Sequence, residues 1–331
     1  MKRTLLTLLR RCGVFASFRY LNRSKVLILT YHRFSRLADG RSTPEAAFAE
    51  QLEHLQKHYY LLSLSTLETY LTSNKRLPEN TAAITIDDGF YDAYEIAFPL
   101  LRERRVPATL FVITDFVDQN IWVWTDKLRY VFARVPVGRT RVAFDRYDLA
   151  FDLDGEASRL KAASKINSIL KTLPESEKDA AIEEITTSLH IGFPMQPPAE
   201  FGPVTWDQVR DMDKAGVEIG SHTVTHPILT NVDDNQLRDE LVNSKTRLES
   251  VLDRSVTLFC YPNGSYDGRV EAAVRGAGYR LAVTTNPCLN NQPANPHALG
   301  RVPAEPDLDH FEQSVSGLEQ FKGRLRRPSA E

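Results

Sequence analysis

Two carboxylates stand side by side at Asp87-Asp88-Gly89, directly after the apolar run 82–86. Two imidazoles stand four apart in His222-Thr223-Val224-Thr225-His226, directly after another apolar run, 217–219. A carboxylate at the end of a buried strand is costly unless it is paired or metal-bound, and neutral imidazole is the commonest metal ligand. Adjacent strand residues face opposite ways, so both aspartates can serve one site only if the strand stops there and Gly89 lets the chain turn. The histidines depart from the helical zinc motif: Thr223 stands where a glutamate would, and Pro227 disfavours a helical His226. A loop presenting both rings is therefore expected. Asp88, His222 and His226 would make a set of two nitrogens and one oxygen with positions left open for water and substrate, as a hydrolytic metal needs. Each pair has a plainer reading alone, a capping Asp-Asp-Gly turn or structural histidines, but their shared location at strand ends argues for a metal site.

The elements that must position these groups show in the hydropathy pattern. Runs 26–30, 82–86, 109–113, 217–219, 256–259 and 281–284 have strand length and β-branched content, and they alternate with helical spacing over 48–55, 94–105, 206–214, 236–252 and 269–275. Gly216 and Gly276 close two of these helices. The alternation predicts parallel strands with outer helices, a fold that gathers its active site at the C-terminal strand ends. The residues there are Tyr31-His32, Asp87-Asp88-Gly89, Ser221-His222 and Tyr261-Pro262-Asn263-Gly264. Between 118 and 203 the pattern changes: Trp122 and Trp124, a helix over 127–133, a polar stretch, helices over 158–170 and 176–189, then a proline-rich connector at 193–198. The expected organisation is an N-terminal segment 1–25, a barrel 26–303 with an insertion 118–203, and a C-terminal helix and basic tail 304–331.

Composition bounds the function. The 331 residues are 42% hydrophobic and 25% charged, with 41 basic against 43 acidic side chains and a net charge of −2. That is an ordinary globular balance, with no global attraction to nucleic acid. Three distant cysteines, Cys12, Cys260 and Cys288, form neither a disulfide framework nor a Cys-x-x-Cys site. The first 25 residues are basic, and Arg10-Arg11 interrupt the apolar stretch 5–9, so no spanning helix and no cleaved signal is expected. One amphipathic helix is predicted, with Leu5, Leu8, Leu9, Val14 and Phe15 on a common side. It either packs on the barrel exterior or gives peripheral contact with an anionic membrane, and the expected location is cytoplasmic or at the inner membrane surface.

The motifs Thr85-Ile86-Asp87-Asp88-Gly89, His222-Thr223-Val224-Thr225-His226 and Phe259-Cys260-Tyr261-Pro262-Asn263-Gly264 together resemble the polysaccharide deacetylases, the NodB-homology or carbohydrate esterase four family. The resemblance covers roughly 26–303, the insertion excepted. It implies an α/β fold, a distorted (β/α) barrel with fewer than eight strands. It implies Asp87 as general base and a divalent metal, zinc before cobalt or nickel, on Asp88, His222 and His226, with Thr223 bracing the loop. It also implies the backbone N–H of Asn263 as oxyanion donor. Two features depart from the common pattern: Cys260 replaces an arginine that holds the catalytic aspartate, and the C-terminal Leu-x-His motif is missing in that form. Tyr31-His32 instead matches a subgroup resembling the poly-N-acetylglucosamine deacetylases of biofilm systems, which makes His32 the general acid; a buried, hydrogen-bonded histidine is the competing reading. Arg301 is the candidate to replace the missing cation beside Asp87, against a plain surface arginine. Trp122, Trp124 and Tyr91 either stack on sugar rings or pack the insertion, and Cys260 has no adjacent base to make it a nucleophile. The expected activity is metal-dependent removal of N-acetyl groups from an N-acetylglucosamine-containing polysaccharide or glycan precursor in exopolysaccharide or cell-envelope metabolism. A carbohydrate O-acetyl esterase and a glycan-binding protein without catalysis are the alternatives.

Overall fold

The computed structural model describes residues 2–37, 42–73 and 75–321. Helices α1 (Lys2–Arg11) and α2 (Val14–Leu21) lead into strand β1 (Leu27–Tyr31), followed by the short β2 (Phe34–Ser35) and β3 (Thr43–Pro44), which pair with each other. Then come α3 (Glu45–His58), β4 (Tyr60–Leu61), α4 (Leu64–Thr72), β5 (Thr81–Ile86), α5 (Phe98–Arg104), β6 (Thr109–Val112) and α6 (Thr114–Val117). An inserted unit holds α7 (Trp124–Arg134), β7 (Gly138–Phe144), β8 (Tyr147–Leu153), α8 (Glu156–Leu170) and α9 (Glu175–Leu189). The alternation resumes with α10 (Trp206–Lys214), β9 (Glu218–Ser221), α11 (Asp234–Leu252), β10 (Leu258–Cys260), α12 (Gly268–Gly276), β11 (Leu281–Val283), β12 (Val302–Pro303) and α13 (Leu308–Val315).

Among the described residues the main sheet runs β11-β10-β9-β6-β5-β1-β12, with β4 beside the start of β5, and all its pairings are parallel. Strands β1 and β5 are buried from end to end, which is why they read as continuous apolar runs. The chain after β11 brings the two sheet edges together: Leu299 pairs with Val283, and Val302 pairs with Leu29. The Thr284 N–H donates to the Leu299 carbonyl and the Ala304 N–H to the Thr30 carbonyl, so the stretch 299–304 bridges the two edges of the distorted (β/α) barrel. Helices α3, α10, α11 and α12 cover the outside, burying Leu52, Met212, Leu241 and Val274 against it.

Several elements depart from the expectation. Strand β9 continues to Ser221, because its last residues Gly220 and Ser221 are buried although not apolar. The polar stretch of the insertion is an antiparallel hairpin, β7–β8, with Arg139, Arg141, Asp148 and Asp152 at the exposed positions of its alternation. The inserted unit has an apolar cluster of its own, including Phe132, Phe144, Ile166 and Ile185. Trp122 and Trp124 are 4% and 7% exposed, so core packing, not sugar stacking, is their role. The N-terminal segment is two helices broken at Gly13 (φ 76°), and its apolar residues do not share one face: Leu5 and Leu8 are exposed while Phe15 is buried. Arg10 ties α1 to Asp309 of α13 at 2.8 Å. The basic tail 322–331 lies outside the described residues. No described helix is long and apolar enough to cross a membrane.

Candidate active site

Strand β5 ends at Ile86, and the next residue, Asp87, is 2% exposed. Its two carboxylate oxygens meet Arg301 Nη1 and Nη2, each at 2.7 Å, in a bidentate pair whose guanidinium is itself fully buried. Arg301 sits on the segment that bridges the barrel edges, and its remaining donors are also taken: Nε donates to the Thr284 carbonyl at 2.8 Å and Nη1 to Thr85 Oγ1 at 2.9 Å. Nη2 reaches Cys260 Sγ at 3.1 Å, and that thiol donates weakly toward Asp87 Oδ2 at 3.5 Å. Burial pushes the Cys260 thiol up, so it stays protonated. Burial would also raise Asp87, but the Arg301 charge and hydrogen bonds outweigh it and hold the carboxyl below its usual range. The surface reading of Arg301 is thereby excluded.

Asp88 takes a left-handed backbone (φ 75°), as does Gly89 (φ 81°), and this turn swings the second carboxylate to the side where the histidines are. Asp88 Oδ1 lies 3.4 Å from His222 Nε2 and 3.8 Å from His226 Nε2. His222 Nδ1 lies 2.8 Å from the Cys260 carbonyl, to which it can donate, and Nε2 is the ring atom that faces Asp88. His226 is pushed down to about 3, by burial first and by the neighbouring His222 second, so its ring is neutral. Thr223 and His226 both have positive φ (71° and 65°), and the loop that holds them is non-helical. Thr223 Oγ1 accepts the His226 N–H at 3.0 Å, which is the bracing expected of it. Glu240 of α11 holds the same loop from below, accepting the N–H groups of Val224 (2.7 Å) and Thr225 (3.0 Å) and the Thr225 hydroxyl (2.6 Å).

The two clusters open into one cleft of about 600 Å³, within the ~300–1,000 Å³ typical of ligand sites. His32 lies at its mouth, its side chain 47% exposed, with Nε2 3.6 Å from Asp87 Oδ2; it is not a buried histidine. Asn263 lines the cleft with φ 54° in the turn after β10, its carbonyl accepting from Thr285 Oγ1 at 2.9 Å. The insertion supplies a facing wall through Asp126 and Arg129 of α7 and Asn167 and Lys171 at the end of α8. Tyr91 is exposed but is not among the residues lining this cleft.

The sequence profile described as polysaccharide deacetylase matches residues 74–282. The chain belongs to the polysaccharide deacetylase family. It is 22% identical to YxkH of Bacillus subtilis, whose name carries the same family, over 86% of this chain and 73% of that one. It is 25% identical to the poly-beta-1,6-N-acetyl-D-glucosamine N-deacetylase of Staphylococcus aureus, over 64% of this chain and 76% of the relative. Its fold is like that of the Streptococcus pyogenes deacetylase PplD, solved in complex with acetate: TM-score 0.59, 20% identity, covering 89% of this chain and 97% of that one.

Among the described residues of this deacetylase, one donor set fits a metal. Asp88, His222 and His226 offer atoms within 4.8 Å of one another, an anion with two imidazole nitrogens. His226 Nδ1 is buried without a partner, so nothing within the described residues competes for that ring. Asp87, His222 and Cys260 also lie within 4.8 Å of one another, but both Asp87 oxygens are already held by the Arg301 guanidinium, which contacts the thiol as well. The residues of the cleft and its support that were not found from the sequence include Glu240, which lies inside a long helix with nothing local to mark it, Asp126 and Arg129, whose i,i+3 spacing is common on helix surfaces, and Asn167 and Lys171, in and just after a plain helical pattern.

Proposed function

We propose that this polysaccharide deacetylase removes N-acetyl groups from an N-acetylglucosamine-containing polysaccharide or glycan precursor in a metal-dependent hydrolysis. The observation that carries the reading is the Asp87–Arg301 pair lying beside the Asp88–His222–His226 set in one cleft. Support for the substrate class comes from the Staphylococcus aureus relative, named for its action on poly-beta-1,6-N-acetyl-D-glucosamine. A divalent cation, zinc before cobalt or nickel, bound by Asp88, His222 and His226 would polarise the acetyl carbonyl and lower the pKa of water toward about 7.

Asp87 is the general base. Each carboxylate oxygen has more than one lone-pair direction, so Asp87 can accept both Arg301 donors and still take a proton from the attacking water. Arg301 keeps it ionised and fixes its plane. Asn263 offers its backbone N–H to the oxygen on which negative charge develops. His32, exposed at the mouth and 3.6 Å from Asp87, hands a proton to the amine as the C–N bond breaks, while the water oxygen leaves in acetate. The chain is organised for this as a barrel over 26–303 interrupted at 118–203, with the N-terminal helices placed at a membrane surface through the exposed Leu5 and Leu8.

The test is acetate release from β-1,6-linked and β-1,4-linked N-acetylglucosamine oligomers and from acetylated xylan, after chelation and after return of zinc, cobalt or nickel. Metal-restored release from the amide substrates is expected. Release from xylan alone would move the assignment to an O-acetyl esterase, and glycan binding with no release from any substrate under any metal would make it a binding protein.

A further inference from the structure

The cleft that holds the metal-capable residues is lined in part by the insertion, and the polar groups there are incompletely satisfied. Asp126 is 1% exposed. Its Oδ1 accepts from Arg129 Nη1 at 2.9 Å, while its Oδ2 is buried with no partner among the described residues. Asn167 Oδ1 is in the same condition. Lys171, one helical turn after Asn167, is half-buried, and no carboxylate of the described residues pairs with it. All three residues line the cleft that holds Asp87 and Asp88. A buried acceptor without a donor is destabilising, more so when charged, so two on one cleft wall call for a ligand that brings donors.

Two acceptors and an ammonium match a sugar ring: hydroxyl hydrogens for the first, a ring, hydroxyl or carbonyl oxygen for the second. The rest of the wall supports that choice. Arg129 is spent on Asp126, and Arg33 is held by Asp92 at 2.6 Å, so neither is a free cation for an anionic group. We propose that Asp126, Asn167 and Lys171 form a sugar-binding wall, in which the carboxylate and the amide accept pyranose hydroxyls and the ammonium donates to a glycan oxygen while the acetyl group lies toward Asp88. This rests on the deacetylase reading of the facing cluster. It gives the insertion a function, reading the glycan from the side the barrel leaves open.

The experiment compares Asn167→Ala, Lys171→Ala and Asp126→Asn with the native protein on an N-acetylglucosamine pentamer and on 4-nitrophenyl acetate, which has an acetyl group and no sugar hydroxyls. Pentamer binding is measured by calorimetry in parallel. The ratio of the two kcat/KM values should fall about tenfold or more for Asp126→Asn, and several-fold for each of the others, mainly through KM. Pentamer affinity should weaken in step. Asn167 and Lys171 are only partly buried, so their variants keep the test open if Asp126→Asn fails to fold. Equal losses on both substrates, or unchanged pentamer affinity in all three variants, overturn the wall and leave the deacetylase reading standing. If the native protein binds the pentamer and the variants weaken it without acetate release, the wall stands and the deacetylase reading falls. Absence of both binding and release overturns the two together.

Discussion

Replacing Arg301 with methionine keeps most of its bulk and removes its charge. The structure sets the size of the effect: two charge-assisted hydrogen bonds at 2.7 Å vanish between groups that are 0% and 2% exposed, leaving an uncompensated carboxylate. Removing one partner of such a buried pair costs about 3–5 kcal/mol of stability. The pair holds the folded-state pKa of Asp87 below its unfolded value, so its contribution is complete above about pH 4 and is lost as pH falls further. In Arg301→Met the burial that raises Asp87 acts unopposed. The deficit against the native protein should therefore be largest at neutral pH and shrink in acid, where Asp87 of the variant is protonated. Each unit by which the Asp87 pKa ends above the assay pH lowers the ionised base about tenfold. Acetate release measured from pH 5 to 9 should show an acidic limb displaced to higher pH, with denaturant unfolding run across the same range. Arg301→Lys, which keeps the charge but not the planar fork, should fall between. An unchanged pH profile in Arg301→Met would refute the tether, whatever happened to stability.

Glu240→Ala removes the acceptor that holds the Val224 and Thr225 N–H groups, and it should weaken zinc binding about 10- to 100-fold in a calorimetric titration while the fold survives. Native-like affinity would deny the loop-holding role. Gly264→Ala places a Cβ 2.1 Å from Thr285 Oγ1 and 2.4 Å from Thr285 N at a φ of 70°, and it should cost roughly 1–3 kcal/mol by denaturant unfolding. It should also lower kcat by moving the neighbouring Asn263 N–H. Leu5→Ser with Leu8→Ser should reduce sedimentation with vesicles containing anionic lipid and leave acetate release unchanged; equal sedimentation would show that α1 makes no membrane contact.

The fold class and the clustered residues were legible because parallel strands buried on both faces announce themselves as apolar runs, and because the fold puts chemistry where those runs stop. Asp87, Asp88, His222 and His226 stand at such stops, and the structure brings them together with His32, Asn263 and Arg301. Glu240 and the hairpin β7–β8 are two examples of what escaped, each for a physical reason. Glu240 acts through a loop whose residues are 15 and 16 positions away in sequence, and no local pattern encodes that contact. The hairpin β7–β8 carries its charges on one face and only three fully buried side chains, Val142, Phe144 and Leu153, too few to dominate the hydropathy of the stretch. Trp122 and Trp124 left sugar stacking and core packing both open, since a large aromatic can serve either until its surroundings are known. Tyr130, Phe193 and Phe201 enclose Trp122.

The stretch 299–304 is the last part of the barrel to leave the ribosome, and it carries Arg301. A nascent chain that has emerged only as far as residue 298 already contains Asp88, His222 and His226, yet its Asp87 has no guanidinium to face. The bidentate contact that holds Asp87 below its usual carboxylate range thus forms only late in synthesis, together with the closing of the sheet.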